Sequence, residues 1–250
     1  MNDLSVQGLV KSFGGILATD NLDLDIQPGE IHAIIGPNGA GKTTLINQLS
    51  GELIPDSGSI HFGGVDVTWE PMHRRVQLGI ARSYQITSVF SDFTALQNVM
   101  LAVQGERSET FSFWMPVAAD TQLVERASAL LDRVGLSGFE DILASAMAHG
   151  AKRQLELAMT LALNPKVMLL DEPMAGMSRH ETEGMINLLA GIKGSCSIVL
   201  IEHDMDAVFA LADRITVVVY GRSIATGTPE AIRNNADVRD AYLGDQEEPA

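Results

Sequence analysis

Gly36-Pro37-Asn38-Gly39-Ala40-Gly41-Lys42-Thr43-Thr44 is the stretch on which the reading of the chain turns. It fits G-x-x-x-x-G-K-[ST], the phosphate-binding P-loop. An apolar run, Ile31-His32-Ala33-Ile34-Ile35, precedes it, and Lys42 to Ser50 can continue as a helix. Strand, glycine loop and helix in that order are the context the motif requires. The glycines let backbone N–H groups turn inward on a phosphate chain, and the helix N-terminus adds its positive end. Lys42 is then placed to reach the β- and γ-phosphates, and the Thr43 hydroxyl to bind Mg²⁺. A glycine-rich turn with a surface lysine is the plain alternative, and the flanking strand and helix weigh against it.

The rest of the composition sets bounds. A chain of 250 residues, 46% of them hydrophobic, allows one large domain or two modest ones with a real core. The net charge of −15 argues against sequence-independent binding to nucleic acid through a basic face. Cys196 is the only cysteine, so no internal disulfide can form, which suits a reducing compartment. No apolar stretch approaches the roughly 20 residues that span a bilayer. Met1-Asn2-Asp3-Leu4 has neither the charge nor the apolar core of a signal peptide. The expectation is a soluble, cytoplasmic chain that ends in an acidic disordered tail, 245–250.

Outward from the P-loop the pattern is α/β. Leu4 to Val10 reads as a first strand and Lys11-Ser12-Phe13-Gly14-Gly15 as a turn with an aromatic at its centre. Leu22, Leu24 and Ile26 alternate with Asn21, Asp23 and Asp25, the mark of a half-buried strand. Short strands are expected over Ser59–Phe62 and from Ile80 to Tyr84, the latter ending at Gln85, with a short helix from Pro71 between them. Thr94-Ala95-Leu96-Gln97 is a capping box. Leu123, Ala127, Leu130, Leu131 and Val134 fall at helical spacing before Gly135. Residues 86–146 therefore read as a mainly helical insertion between two halves of an α/β core, 1–85 and 147–244, though the same helices could simply cover the main sheet. Further strands are expected at Lys166–Leu170, Ser197–Ile201, Ile215–Tyr220 and near Ile224. Helices are expected at Ala151–Leu163, Glu181–Ile192, Met205–Ala212 and from Thr228-Pro229. Strands alternating with helices imply a parallel sheet with right-handed crossovers.

Three strand ends carry chemistry. Asp171-Glu172 closes a buried strand; the aspartate can hold Mg²⁺ and the glutamate can take a proton from the attacking water. His203 follows another buried strand, where an imidazole can donate to a γ-phosphate and bridge to the carboxylate. Gln85 can offer its side-chain amide to Mg²⁺ or the water. Each is an ordinary strand end by itself.

Together, and in this order, they resemble the nucleotide-binding subunit of an ATP-binding cassette transporter. The resemblance spans essentially the whole chain. It implies a P-loop NTPase with a mainly parallel sheet, an antiparallel N-terminal β subdomain and an inserted helical subdomain, 86–146. It implies Walker A at Gly36–Thr43, the Q-loop at Gln85, Walker B at Asp171, the catalytic glutamate at Glu172 and the switch histidine at His203. Phe13 stands where the family stacks an aromatic on adenine. More narrowly, Asp171-Glu172-Pro173-Met174-Ala175-Gly176-Met177, Ile201-Glu202-His203-Asp204-Met205 and Gly227-Thr228-Pro229-Glu230-Ala231-Ile232-Arg233-Asn234-Asn235 resemble the ATPases of branched-chain amino-acid and urea importers. One element departs. The family signature, usually Leu-Ser-Gly-Gly-Gln, aligns with Met147-Ala148-His149-Gly150-Ala151; Gly150 is kept, while Ala148 replaces the serine and Ala151 the glutamine. In the family this turn caps the γ-phosphate held by the facing subunit. Loss of the hydroxyl removes a hydrogen bond to a charged group, roughly 1.5–3 kcal/mol.

The resemblance implies ATP and Mg²⁺ as ligands and two membrane-spanning permease subunits as partners. It also implies a second ATPase subunit, different or identical, and indirectly a periplasmic or extracellular solute-binding protein. Nucleic acid is not among the partners. The place would be the cytoplasmic face of the membrane. The coupling surface is expected between Gln85 and the insertion, at Val89-Phe90 and Phe111 to Trp114, aromatics that core packing would explain equally well. Two rivals remain in view: a soluble ATPase of the superfamily serving repair, cofactor assembly or translation, and a protein that holds ATP without turning it over. The first lacks its coiled-coil insert or tandem cassette here; intact Lys42, Asp171, Glu172 and His203 speak against the second.

Overall fold

The computed structural model describes residues 3–83, 89–106 and 120–239. Gln85, Phe111 to Trp114 and the 245–250 tail, on which expectations were placed, lie outside the described residues.

β1 (Leu4–Phe13) and β2 (Ile16–Ile26) form an antiparallel pair, and β4 (Ser57–Phe62) and β5 (Val65–Asp66) complete a sheet of order β2-β1-β4-β5. In β2, Leu22, Leu24 and Ile26 are buried and Asn21, Asp23 and Asp25 exposed, as the alternation requires. The first strand is longer than its sequence suggests. It runs to Phe13, and only Gly14-Gly15 turn. β2 supplies ladder partners as far as Phe13 opposite Ile16. Asp56 accepts from Lys11 Nζ at 2.7 Å and from the Ser12 N–H at 2.8 Å, holding this end extended from 44 residues away.

The second sheet has the order β10-β9-β3-β8-β7-β6. Its strands are β3 (Ile31–Ile35), β6 (Ile80–Arg82), β7 (Val167–Asp171), β8 (Ser197–Ile201), β9 (Arg214–Val219) and β10 (Arg222–Gly227). All neighbours are parallel except β10, which returns antiparallel on β9. β3, β7 and β8 are buried at every residue, as strands covered on both faces must be. On one face Ile34, Leu169, Val199 and Val218 pack with Leu45, Ile46 and Leu49 of α1 (Lys42–Ser50) and with Leu4, Leu22 and Ile60 of the first sheet. The other face carries Met168, Leu170, Ile198 and Leu200 against α5 (His149–Ala162), α6 (Arg179–Ile192) and α7 (Met205–Leu211).

α2 (Met72–Leu78) leads into β6. Between β6 and α5 lie α3 (Ala95–Glu106) and α4 (Thr121–Arg133). The capping box closes as expected: Thr94 N–H donates to Gln97 Oε1 at 2.9 Å and Gln97 N–H to Thr94 Oγ1 at 3.2 Å. α4 buries Leu123, Ala127 and Leu131. α3 and α4 pack on each other and on α5. A single apolar cluster runs from Val99 and Leu131 through Leu155 to Leu170 on the sheet, so α5 packs between the α3–α4 pair and the parallel sheet. α8 (Pro229–Arg233) starts at the Thr228 cap, and α9 (Ala236–Val238) follows it.

Candidate active site

The P-loop leaves β3 at the centre of the parallel sheet and is packed from behind. Gly36 has φ +155° and Gly41 φ +102°, conformations that cost an L side chain dearly. A Cβ at Gly36 would run into the Val218 carbonyl oxygen, and one at Gly41 into that of Ala18. The turn between β9 and β10 clasps the same loop: Gly221 N–H donates to Ala40 O at 2.9 Å, and Asp20 N–H to Gly221 O at 2.9 Å. Ala40 is buried by this backing; Asn38 and Gly39 face outward with Pro37 half-buried. Gly41 is the N-cap of α1, so Lys42, Thr43 and Thr44 occupy its first turn, with Thr43 exposed.

Lys42 Nζ donates to the carbonyls of Gly36, at 2.6 Å, and Pro37, at 2.9 Å. Burial pushes its pKa down, against the opposing pull of Glu172 and Asp171. The ammonium therefore lies in the field of both strand-end carboxylates, although they are far off in sequence. Asp171 ends β7, nearly buried, with its Oδ2 3.1 Å from an Arg82 guanidinium nitrogen. Burial raises its pKa, and Arg82 opposes the rise.

Glu172 leaves the strand with φ +49°, and its N–H donates to Ile201 O at 2.9 Å. This ties the end of β7 to the end of β8. His203, mostly exposed, has Nδ1 4.0 Å from Glu172 Oε1 and 3.8 Å from Glu202 Oε2. Glu202 is buried, 1% exposed. Its carboxylate accepts from Met174 N–H at 2.9 Å and His203 N–H at 3.1 Å, and burial raises its pKa. One carboxylate thus fixes the loops after β7 and β8 against each other.

Phe13 is half-exposed at the tip of the β1–β2 hairpin, with Lys11 Nζ 5.9 Å from its ring centroid. The same hairpin supplies Ala18, which backs Gly41. The structure therefore brings together the 36–44 loop, Asp171, Glu172 and His203, with Phe13 on the adjoining hairpin. Ala148, His149 and Gly150 are held elsewhere. Ala148 is the N-cap of α5 without a side-chain cap bond. The His149 ring nitrogen Nε2 is 3.2 Å from Ala175 O, and the Glu181 carboxylate lies against Gly150. α5 begins at His149, two residues before the expected Ala151, with the Glu181 carboxylate against its first turn.

Arg82, Glu202 and Glu181 escaped the sequence reading. Arg82 and Glu202 are charges at the ends of apolar strand runs, the same signal that picked out Asp171; a search for partners of every strand-end charge would have found them. Glu181 was legible only as a helix residue. Hydroxyl and carboxylate oxygens at Thr43 and Asp171 are the hard donors that suit Mg²⁺. Among the described residues no cluster of three His, Cys, Asp or Glu could hold a metal by itself. A cation at this place would lean on substrate phosphates, as Mg²⁺ does.

The fold and this constellation define a P-loop nucleotide-hydrolysing cassette. The sequence matches the ABC transporter family over residues 19–175 and the family "Branched-chain amino acid ATP-binding cassette transporter" over residues 222–248. It is 39% identical over 249 residues to the high-affinity branched-chain amino acid transport ATP-binding protein LivG of Escherichia coli K12, covering 97% of this chain and 98% of that one. It is 36% identical to the corresponding protein BraF of Pseudomonas aeruginosa, with the same coverage. The ADP conformation of MJ1267, an ATP-binding cassette of an ABC transporter, superposes with a TM-score of 0.86 at 29% identity, over 98% of this chain and 99% of that one. The chain belongs to the ABC transporter family and is an ABC ATPase subunit. Among the described residues no helix is long and apolar enough to cross a membrane.

Proposed function

We propose that this chain hydrolyses ATP to drive an importer of branched-chain or other hydrophobic amino acids, urea or amides. The carrying observation is the convergence of Lys42, Asp171 and Glu172 at the C-terminal ends of β3 and β7, with Lys42 held in the field of the two carboxylates. The full-length likeness to branched-chain transport subunits supports the solute class and leaves the repair or translation alternative without a feature in its favour.

In this reading the 36–44 loop wraps the phosphates. Lys42 exchanges its bonds to Gly36 O and Pro37 O for β- and γ-phosphate oxygens. Thr43 and Asp171 would hold Mg²⁺, joined by Gln85; the ion supplies charge neutralisation between the phosphates. Glu172 orients and deprotonates the attacking water as its oxygen bonds to the γ-phosphorus. The bond from that phosphorus to the bridging oxygen breaks, and ADP departs with the electron pair. His203, beside Glu172, donates to the γ-phosphate. Phe13 stacks on adenine. Ala148, His149 and Gly150 face the γ-phosphate of a second, facing ATPase subunit, different or identical.

The chain would sit peripherally on the cytoplasmic membrane face. Two permease subunits would dock beside α3, where a groove of about 520 Å³ is lined by Phe93, Leu96, Met100 and Leu101, with the exposed Phe90 ring 5.5 Å from that of Phe93. Residues 86–146 would be the helical subdomain making that contact, and a solute-binding protein would deliver cargo from outside. The test is reconstitution with co-purified membrane subunits in vesicles. Uptake of labelled leucine or a related solute should require internal ATP and vanish with Glu172→Gln. ATP turnover without uptake of any of these solutes would refute the transport reading.

A further inference from the structure

The Glu181 carboxylate does two jobs at once. As the third residue of α6 it closes a capping box, accepting from the Ser178 N–H at 2.8 Å and the Ser178 hydroxyl at 2.7 Å. Its other oxygen, Oε1, lies against the backbone of Gly150, in the first turn of α5. The N-cap of α5 is Ala148, which has no side-chain acceptor, so the Glu181 charge faces an uncapped helix start. The absence of a side chain at Gly150 is part of the fit. A Cβ there would overlap Glu181 Oε1 and come within 3.0 Å of its Cδ. The bonds from the Ser178 hydroxyl and N–H hold this carboxyl below the usual carboxylate range, so it stays anionic at working pH.

A hydrogen bond runs beside this contact. The His149 ring lies 3.2 Å from Ala175 O, and it stands against Gly176, whose added Cβ would meet Nε2 at 3.4 Å. Ala175, Gly176 and Ser178 belong to the short loop that begins at Glu172 and ends at α6. The turn Ala148–Gly150 is therefore held against the loop carrying Glu172 and the start of α6 at two points within one chain, one a hydrogen bond and one a close contact.

We propose that Glu181 is a positioning residue that couples the two ATP sites of the assembled transporter. This rests on the reading of the chain as one of two facing cassettes. There, its P-loop and Glu172 serve one ATP, while its 148–150 turn serves the other. A shift of the turn on meeting the second γ-phosphate pulls, through Glu181 and His149, on the loop that holds Glu172 at the first. The coupling needs no contact between Glu181 and either nucleotide. A carboxylate is suited to it because two helix N-termini present their positive ends to one anion.

The test uses the complex purified with its own membrane subunits and facing ATPase. ATPase rate is followed against ATP concentration for wild type, Glu181→Ala and Glu181→Gln. ATP affinity is measured in parallel on each purified chain alone, where only its own P-loop binds. Glu181→Ala is expected to flatten the cooperative dependence on ATP and lower the maximal rate by about fivefold, leaving the isolated chain's ATP affinity within about twofold. Glu181→Gln keeps the shape of the head group packed on Gly150 and an oxygen for Ser178, and is expected to restore most of the cooperativity. Cooperativity and rate unchanged in Glu181→Ala would overturn the proposal while leaving the two-cassette reading intact. A parallel loss of ATP affinity in the isolated chain would overturn it too, marking Glu181 as structural only. A wild-type complex with no cooperativity at all would take down the two-cassette reading and the coupling with it.

Discussion

Arg82→Ala should be among the most damaging single changes outside the P-loop. Arg82 is 8% exposed and Asp171 3% at the side chain, and their atoms meet at 3.1 Å. The same guanidinium donates to Asn47 Oδ1 at 2.6 Å and Glu52 Oε2 at 2.7 Å, tying β6 to the end of α1. Removing one member of a buried pair strands the other, at a cost of about 3–5 kcal/mol. The cost has a pH dependence whose sign follows from Asp171. Its folded pKa is raised by burial despite Arg82, and loss of the arginine raises it further. A carboxyl raised in the folded state contributes fully below its unfolded pKa, near 3.9, and that contribution is lost as pH rises through the folded value. The deficit of Arg82→Ala should therefore be larger at pH 8 than at pH 5. Urea unfolding of wild type, R82A, D171N and the double mutant at both pH values gives the cycle. In the D171N background the deficit should fall to about 1 kcal/mol, the worth of the bonds to Asn47 and Glu52. A loss from R82A below about 1 kcal/mol at pH 8, or an equal loss with Asp171 replaced, would refute the reasoning.

Glu172→Gln should retain ATP binding and lose hydrolysis by a factor of about 10²–10⁴, measured by equilibrium binding and phosphate release; near-normal turnover would remove Glu172 from its role. Phe13→Ala should raise the ATP concentration needed for half-maximal rate more than it lowers the maximal rate, since a stacked ring adds binding to ground and transition states alike. An unchanged ATP dependence would return Phe13 to hairpin packing. Ala148→Ser supplies α5 with a side-chain cap and the facing γ-phosphate with a hydroxyl, so ATPase activity should hold or rise. In a heterodimer whose other subunit has a normal signature, Glu172→Gln here should then harm transport more than the matching change in the other subunit. Equal losses would remove the asymmetry.

What the sequence disclosed and what it hid follow from range. The P-loop, the alternation of β2 and the Thr94 capping box are set by residues within a few positions of one another, and each formed where it was read. β1 continues past Val10 because of Asp56, 44 residues on, and the start of α5 lies against Glu181, from another helix. Arg82 finds Asp171 at a separation of 89. None of these partnerships has a local pattern, because the sheet order that creates them is a property of the whole chain. The order of motifs from Phe13 to His203 came from the resemblance; the residues alone left Gln85 and His203 as ordinary strand ends.

The sheet order also has a consequence for how the protein is made. β3 leaves the ribosome early, yet its two neighbours in the sheet begin only at Ser197 and Arg214. The antiparallel sheet is different, since all four of its strands lie within residues 4–66. It can close during synthesis, whereas the apolar strand that feeds the P-loop has to wait, unpaired, for most of translation. Such long-range parallel pairing is slow, and it leaves sticky edges exposed in the meantime. A nascent chain stalled before Ser197 would carry the whole glycine loop with neither flanking strand in place. Capture of ATP by ribosome-bound chains should thus switch on late, once β9 has emerged and closed over β3.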